Sequence, residues 1–295
     1  MANRFWVNGT GVWDSSDTTH WSATSGGAGG ESVPTSSDDV IFDSMSNATT
    51  YAVTTSGAAT CGALTITNPL TGTVTLTLGA TLTAAGTITL TSGILDFANF
   101  DVTAFAVSST NSNVRTLTLG TGTLTLTANS GIRFTLATAT NLTLTPTTGT
   151  IYLSDTTSNA TFRGGGQTFG TLAVTTADAG SVILTGANTF TRITTIGGGS
   201  KTFTLPGSTT TTLTGTTPLP SGADAGNKLT FAPSSGSATV ALTSPASLRN
   251  VSLTNIIASG AAAQAVASTN GGGNTGWTFP PDPDIPVFGQ LLLLG

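Results

Sequence analysis

The chain is poor in charge. Only 7% of its 295 residues are Asp, Glu, Lys or Arg, against roughly 25% in an ordinary soluble domain. Glu31 is the single glutamate, His20 the single histidine and Cys61 the single cysteine. One cysteine excludes an intrachain disulfide and reads as a small buried apolar residue. The eight basic residues (Arg4, Arg115, Arg133, Arg163, Arg192, Lys201, Lys228, Arg249) are scattered, and the net charge is −5. A nucleic-acid partner needs clustered Lys and Arg, so none is expected. No run of 18 apolar residues exists to form a membrane-spanning helix, and no membrane partner is expected. The opening Met1-Ala-Asn-Arg-Phe-Trp6 lacks an apolar leader core and cleavage site, so the expectation is synthesis in the cytoplasm without leader-directed export.

Hydroxyl groups, glycine and hydrocarbon make up the difference. Threonine is about a fifth of the chain, and there are 37 glycines. Apolar residues alternate with Thr or Ser in Val74-Thr-Leu76-Thr-Leu78, Ile88-Thr-Leu90, Leu117-Thr-Leu119, Leu124-Thr-Leu126, Ile132-Arg-Phe134-Thr-Leu136, Leu142-Thr-Leu144, Phe203-Thr-Leu205 and Val251-Ser-Leu253. A period of two puts one face in the core and the other in water, which is the pattern of a strand. Threonine suits the outward face because its branched Cβ fits a pleated surface. Gly79, Gly86, Gly93, Gly120, Gly122, Gly131, Gly149, Gly170 and Gly186 punctuate the strands. Helical periodicity is absent.

Such short strands fit a parallel β-helix (β-solenoid) or tandem β-sandwiches. The solenoid is favoured because the alternation runs on for about 200 residues without changing character, and because like-on-like aliphatic residues suit stacking between coils. At roughly 20–25 residues per coil, eight to ten coils are expected, with about 4.8 Å between them. Three regions follow. Residues 1–49 form a Trp-rich N-terminal cap (Trp6, Trp13, Trp21), 50–279 the solenoid body, and 280–295 a Pro-rich C-terminal arm. A low-charge flank with open strand edges aggregates unless covered, and the simplest cover is other copies of the chain. A homotrimer is expected.

The arm begins Pro280-Pro-Asp-Pro-Asp-Ile-Pro286. Its prolines forbid helix and favour a polyproline-like strut. The following Val287-Phe-Gly-Gln-Leu-Leu-Leu-Leu-Gly295 is apolar and a liability if left free in water. The residues expected to carry interaction are Ile285, Val287, Phe288, Leu291, Leu292, Leu293 and Leu294, docking on a neighbouring subunit or another protein of the same particle. The alternative is folding back on the body.

Two motifs carry a resemblance. The N-terminal Phe5-Trp-Val-Asn-Gly-Thr-Gly-Val-Trp13-Asp14, His20-Trp21 and Asp38-Asp-Val-Ile-Phe-Asp43 resemble the opening of many phage and bacterial β-solenoid proteins. Ser247-Leu-Arg-Asn-Val-Ser-Leu253 and Gly272-Gly-Asn-Thr-Gly-Trp277-Thr-Phe279 resemble the closing coils of that group, which includes autotransporter-like passengers and phage fibre or decoration proteins. The lack of a leader points to the phage side. What the resemblance implies is a virion structural protein, either a capsid decoration (cement) or a fibre component. The alternative is a tail-fibre adhesin binding host-surface glycans.

Catalytic chemistry is thinly provided, and no enzymatic activity and no cofactor are expected. Glycan hydrolysis needs two carboxylates some 5–10 Å apart. Asp96 and Asp101, flanking Phe97 and Phe100, are the candidate pair, and turn-forming Asp is the plainer explanation. Asp38, Asp39 and Asp43 lack EF-hand spacing. Gly197-Gly-Gly-Ser-Lys201-Thr202 is similar to a phosphate loop but has Ser200 where glycine should precede lysine. Asn8, Asn47, Asn141, Asn159 and Asn250 lie in glycosylation-like triplets that arise readily in so Thr-rich a chain.

Overall fold

The computed structural model describes residues 2–68, 71–145, 148–155, 157–176 and 180–283. Among them there is no helix, and thirty strands follow one another along the chain. Every strand pairing in this set is parallel except one, between Asn3–Trp6 and Trp21–Ser22. The protein is therefore a parallel β-solenoid. Tandem sandwiches, which pack antiparallel sheets, are excluded.

The N-terminal coils carry strands on three faces, the middle coils on two. The first face carries Gly11–Trp13, Tyr51–Thr55, Val74–Thr77, Gly93–Asp96, Arg115–Thr118 and Leu142–Thr145 as one stack. The other two faces are joined by strands that round the corner between them. Val102–Ser108 pairs through Val102–Ala104 with Thr123–Leu126 and through Val107–Ser108 with Gly131–Thr135. On the third face, twelve strands stack from Asn3–Trp6 to Thr269–Asn270. Eleven steps at about 4.8 Å make a rod about 50 Å long.

Coil length varies. Leu76 pairs with Leu95, Leu95 with Leu117 and Leu117 with Leu144, which are steps of 19, 22 and 27 residues. The strands stay in register while the corners absorb the difference. Ten of the twelve third-face strands, from Leu64–Ile66 to Thr269–Asn270, lie within residues 50–279, in line with the eight to ten coils expected for the body.

Register produces columns of like residues. Val53, Leu76, Leu95 and Leu117 are each 0% exposed and lie in one inward column. The outward column beside it is Thr54, Thr77, Asp96, Thr118 and Thr145, with the Thr118 and Thr145 hydroxyls 3.3 Å apart. Burying a large aliphatic or aromatic side chain stabilises by roughly 1.5–3 kcal/mol, and the columns repeat that gain at every coil. Farther along, phenylalanines replace leucines. Phe134, Phe162, Phe169 and Phe190 form one stacked and edge-on cluster, and Phe203 stacks on Phe231 at 5.0 Å.

One alternating stretch is interrupted. Ile132 and Phe134 do not share a face, because the register shifts between them. Ile132 is 40% exposed, whereas Arg133 is fully buried. An extra residue at such a bulge re-aims the side chains around it. Arg115 is also inside, opposite Gly93 in the next coil. Its guanidinium donates to the carbonyls of Asn113 (2.8 Å), Thr140 (3.0 Å) and Thr138, and its Nε to the Ser109 hydroxyl (2.5 Å). A buried charge is tolerated when every donor finds an oxygen.

Both ends of the rod carry tryptophan. Trp6, Trp13 and Trp21 are buried and meet edge-on, with centroids 5.0 Å apart for Trp6–Trp21 and 5.4 Å for Trp13–Trp21. His20 stacks on Trp6 at 4.5 Å and shares a 2.8 Å hydrogen bond with the Val7 carbonyl. The antiparallel strand Trp21–Ser22 occupies the outer edge of Asn3–Trp6, which closes an otherwise open sheet edge. At the other end, Trp277 and Phe279 pack against the last coils of the core.

Candidate interaction surfaces

The interaction residues expected from the sequence (Ile285, Val287, Phe288, Leu291, Leu292, Leu293, Leu294) lie outside the described residues. The root of their arm is described. The Pro280 carbonyl accepts the Ala267 amide at 3.0 Å, and Asp282 pairs with Arg249 at 2.6 Å. Arg249 ends the strand Ala246–Arg249. The arm thus starts pinned to the flank of the last coils, at the C-terminal ends of their strands.

A shallow uncharged groove of about 420 Å³ lies at the opposite ends of those same strands. It is lined by Pro245, Ala246, Ala262, Ala263, Gly276 and Thr278, among others. Ala246–Arg249, Ala263–Val266 and Trp277–Thr278 form its three-stranded sheet, with Ala246 opposite Ala263 and Ala263 opposite Trp277. Small residues repeated in register hollow the surface here.

A second groove, of about 520 Å³, sits where two irregular strands meet on the third face. Its lining includes Thr87, Ser108, Thr110, Ile132, Thr135 and Arg163. The bulge between Ile132 and Phe134 turns Ile132 outward to form its apolar wall, and Thr135 aligns with Arg163 in the neighbouring coil. Sequence pattern alone assigned Ile132 to the core. Only the inserted Arg133 distinguishes this stretch from a regular strand.

The carboxylates singled out from the sequence accept backbone amides, within turns or from the next coil. Asp96 accepts the Ala98 amide at 2.7 Å, and Asp101 accepts the Thr123 amide at 2.8 Å, one coil away. Asp39 accepts the Ala63 amide at 2.7 Å, and Asp43 accepts that of Met45 at 2.9 Å. Asp38 accepts both the hydroxyl (2.7 Å) and the amide (3.0 Å) of Thr35. These bonds, the hydroxyl foremost, hold its carboxyl below the usual 3.8. Asp14, Asp17, Asp155 and Asp224 are likewise held low by turn amides and hydroxyls. Among the described residues no three His, Cys, Asp or Glu side chains gather as a metal site would require.

Lys201 opens the strand Lys201–Leu205, opposite Leu229, with its side chain buried, so the Gly197–Thr202 stretch leads into a strand and not a phosphate-binding helix. Cys61 is buried, and burial pushes its thiol up to about 12. Asn8, Asn141 and Asn250 take left-handed turns, with φ of 67°, 56° and 53°, a conformation asparagine tolerates better than most residues.

The chain matches no family model, no curated protein and no solved structure.

Proposed function

We propose that this protein is a structural component of a bacteriophage virion, a capsid decoration (cement) or fibre element. It works as a stiff spacer, associating with copies of itself as a homotrimer and docking through its C-terminal arm on a neighbouring subunit or other virion proteins. The observation that carries this reading is the unbroken stack of hydrocarbon-filled coils, with the singled-out carboxylates engaged on backbone amides of turns and neighbouring coils. Such a chain is built for shape and rigidity. The low-charge flanks, coated with columns of threonine, support lateral packing, and the terminal motifs resemble those of phage solenoid proteins. No catalytic role is proposed. Quantitative mass spectrometry of purified particles tests the reading. The protein should be present in a fixed copy number per particle, and its absence from particles sinks the proposal.

A second reading is favoured by one observation, the groove around Ile132 and Arg163. A cation, several hydroxyls and an apolar wall suit an acidic glycan on a host surface, as a tail-fibre adhesin would bind. Glycan-array binding that is lost in Arg163→Ala supports it. An array without signal removes it.

A further inference from the structure

The groove over Pro245, Ala246, Ala262, Ala263 and Gly276 is a largely apolar trough, with Ser247, Gln264 and Thr278 its polar lining and no charged residue. The segment Val287–Leu294 is equally uncharged, with Gln290 its only polar side chain. The two match in chemistry, and the groove's volume falls within the ~300–1,000 Å³ of ordinary binding clefts.

Their positions bear on which copy supplies the segment. The arm's root is held at the Arg249 end of the strands by the Arg249–Asp282 pair and the Ala267–Pro280 bond. The groove lies at the Ala246 end, about 10 Å away along the strand. Between root and segment stand Pro283 and Pro286. Proline fixes its own φ and holds the preceding residue extended, and an extended stretch of this kind advances about 3.1 Å per residue. The five residues from Asp282 to Val287 span about 15 Å when extended. From Trp277, opposite Ala263, to Asp282, paired with Arg249, the chain runs away from the groove, so reaching its own groove requires a reversal after Asp282. A copy lying alongside presents the same groove without that reversal.

We propose that segment 287–294 of one copy seats in the Pro245–Gly276 groove of a second copy, so that the arm links neighbouring rods. This rests on the reading of the arm as a docking element and names its receptor.

The test uses full-length chains. Gln264→Cys, at the exposed rim of the groove, and Leu292→Cys, in the arm, are made separately, mixed, and oxidised mildly. The native Cys61 is buried and stays silent. A disulfide-linked pair of the two variants, reduced at least tenfold by Ala262→Asp in the groove chain, is the expected result. If the mixture gives no mixed pair while a single chain carrying both cysteines closes an internal disulfide, the arm covers its own groove and the proposal is overturned. If neither disulfide forms, the groove is not the receptor and the proposal fails. In that case, loss of a Leu292→Asp variant from assembled particles still upholds the docking reading, whereas its full retention removes that reading too.

Discussion

Phe134 and Phe162 lie in register on successive coils, their rings 4.9 Å apart and within 6° of parallel. Phe162 also meets Phe169 edge-on at 5.1 Å and Phe190 at 5.5 Å, so it shares the centre of the aromatic cluster with Phe169. Truncating a buried phenylalanine costs about 3–5 kcal/mol, transfer and cavity terms together. Phe162→Ala should lower unfolding free energy by that amount in urea titration. Phe105→Ser, at an exposed position, should change it by less than about 0.5 kcal/mol. Equal effects would mean that the Phe cluster is not a core.

Gly93 has a left-handed φ of 92°, and a Cβ there would lie 2.7 Å from Val74 Cγ1 and 2.8 Å from the Val74 carbonyl. The adjoining column position in the next coil holds the buried Arg115. Gly93→Ala combines strain with overpacking, and overpacking alone costs about 1–3 kcal/mol. Arg115→Leu removes the charged donor from the buried Ser109 hydroxyl and the part-buried carbonyls of Thr138 and Thr140, and a hydrogen bond to a charged group contributes about 1.5–3 kcal/mol. Both variants should show lower urea midpoints with unchanged far-UV β signal.

Acid should weaken the fold over a defined range. Asp14, Asp17, Asp38, Asp155 and Asp224 all have folded values below 3.8. A depressed folded value contributes stability that is present above the unfolded value and lost as pH falls through the folded one. The urea midpoint should therefore be flat from pH 7 to about pH 5 and decline below about pH 4. Asp38→Asn should make that decline shallower. A midpoint that rises on acidification contradicts the assignment.

Cys61 should behave as a core atom. With its thiol pushed up to about 12, the nucleophilic thiolate is scarce at pH 8. Iodoacetamide should leave the native protein unlabelled and modify it fully in denaturant. Rapid native labelling would show that the coils around Cys61 open.

Much of this architecture was legible in the chain. Val74-Thr-Leu76 and Leu117-Thr-Leu119 place hydrocarbon inward and hydroxyl outward, as alternation demands, and the Trp277–Phe279 segment is the closing strand its aromatics implied. The individual coil lengths were not legible, because parallel pairing constrains only the strands. The corners between Leu95, Leu117 and Leu144 differ by several residues at no cost to register. The two interior arginines were hidden for another reason. Arg115 is accommodated by loop carbonyls recruited from about 25 residues away, and Arg133 by a bulge that no local pattern announces. The groove beside Ile132 was invisible for the same reason, since it exists only where the alternation breaks.

Because the stack keeps its register while the connections between faces change length, the molecule acts as a gauge. Its span is set in whole increments by how many turns the chain completes, and sequence added at a corner widens the rod locally without lengthening it. Excising one complete turn, such as the 22 residues from Leu95 to Leu117, should shorten it by a single increment and leave both tryptophan-sealed tips intact. A lineage could thus alter the distance spanned independently of what is displayed along the sides.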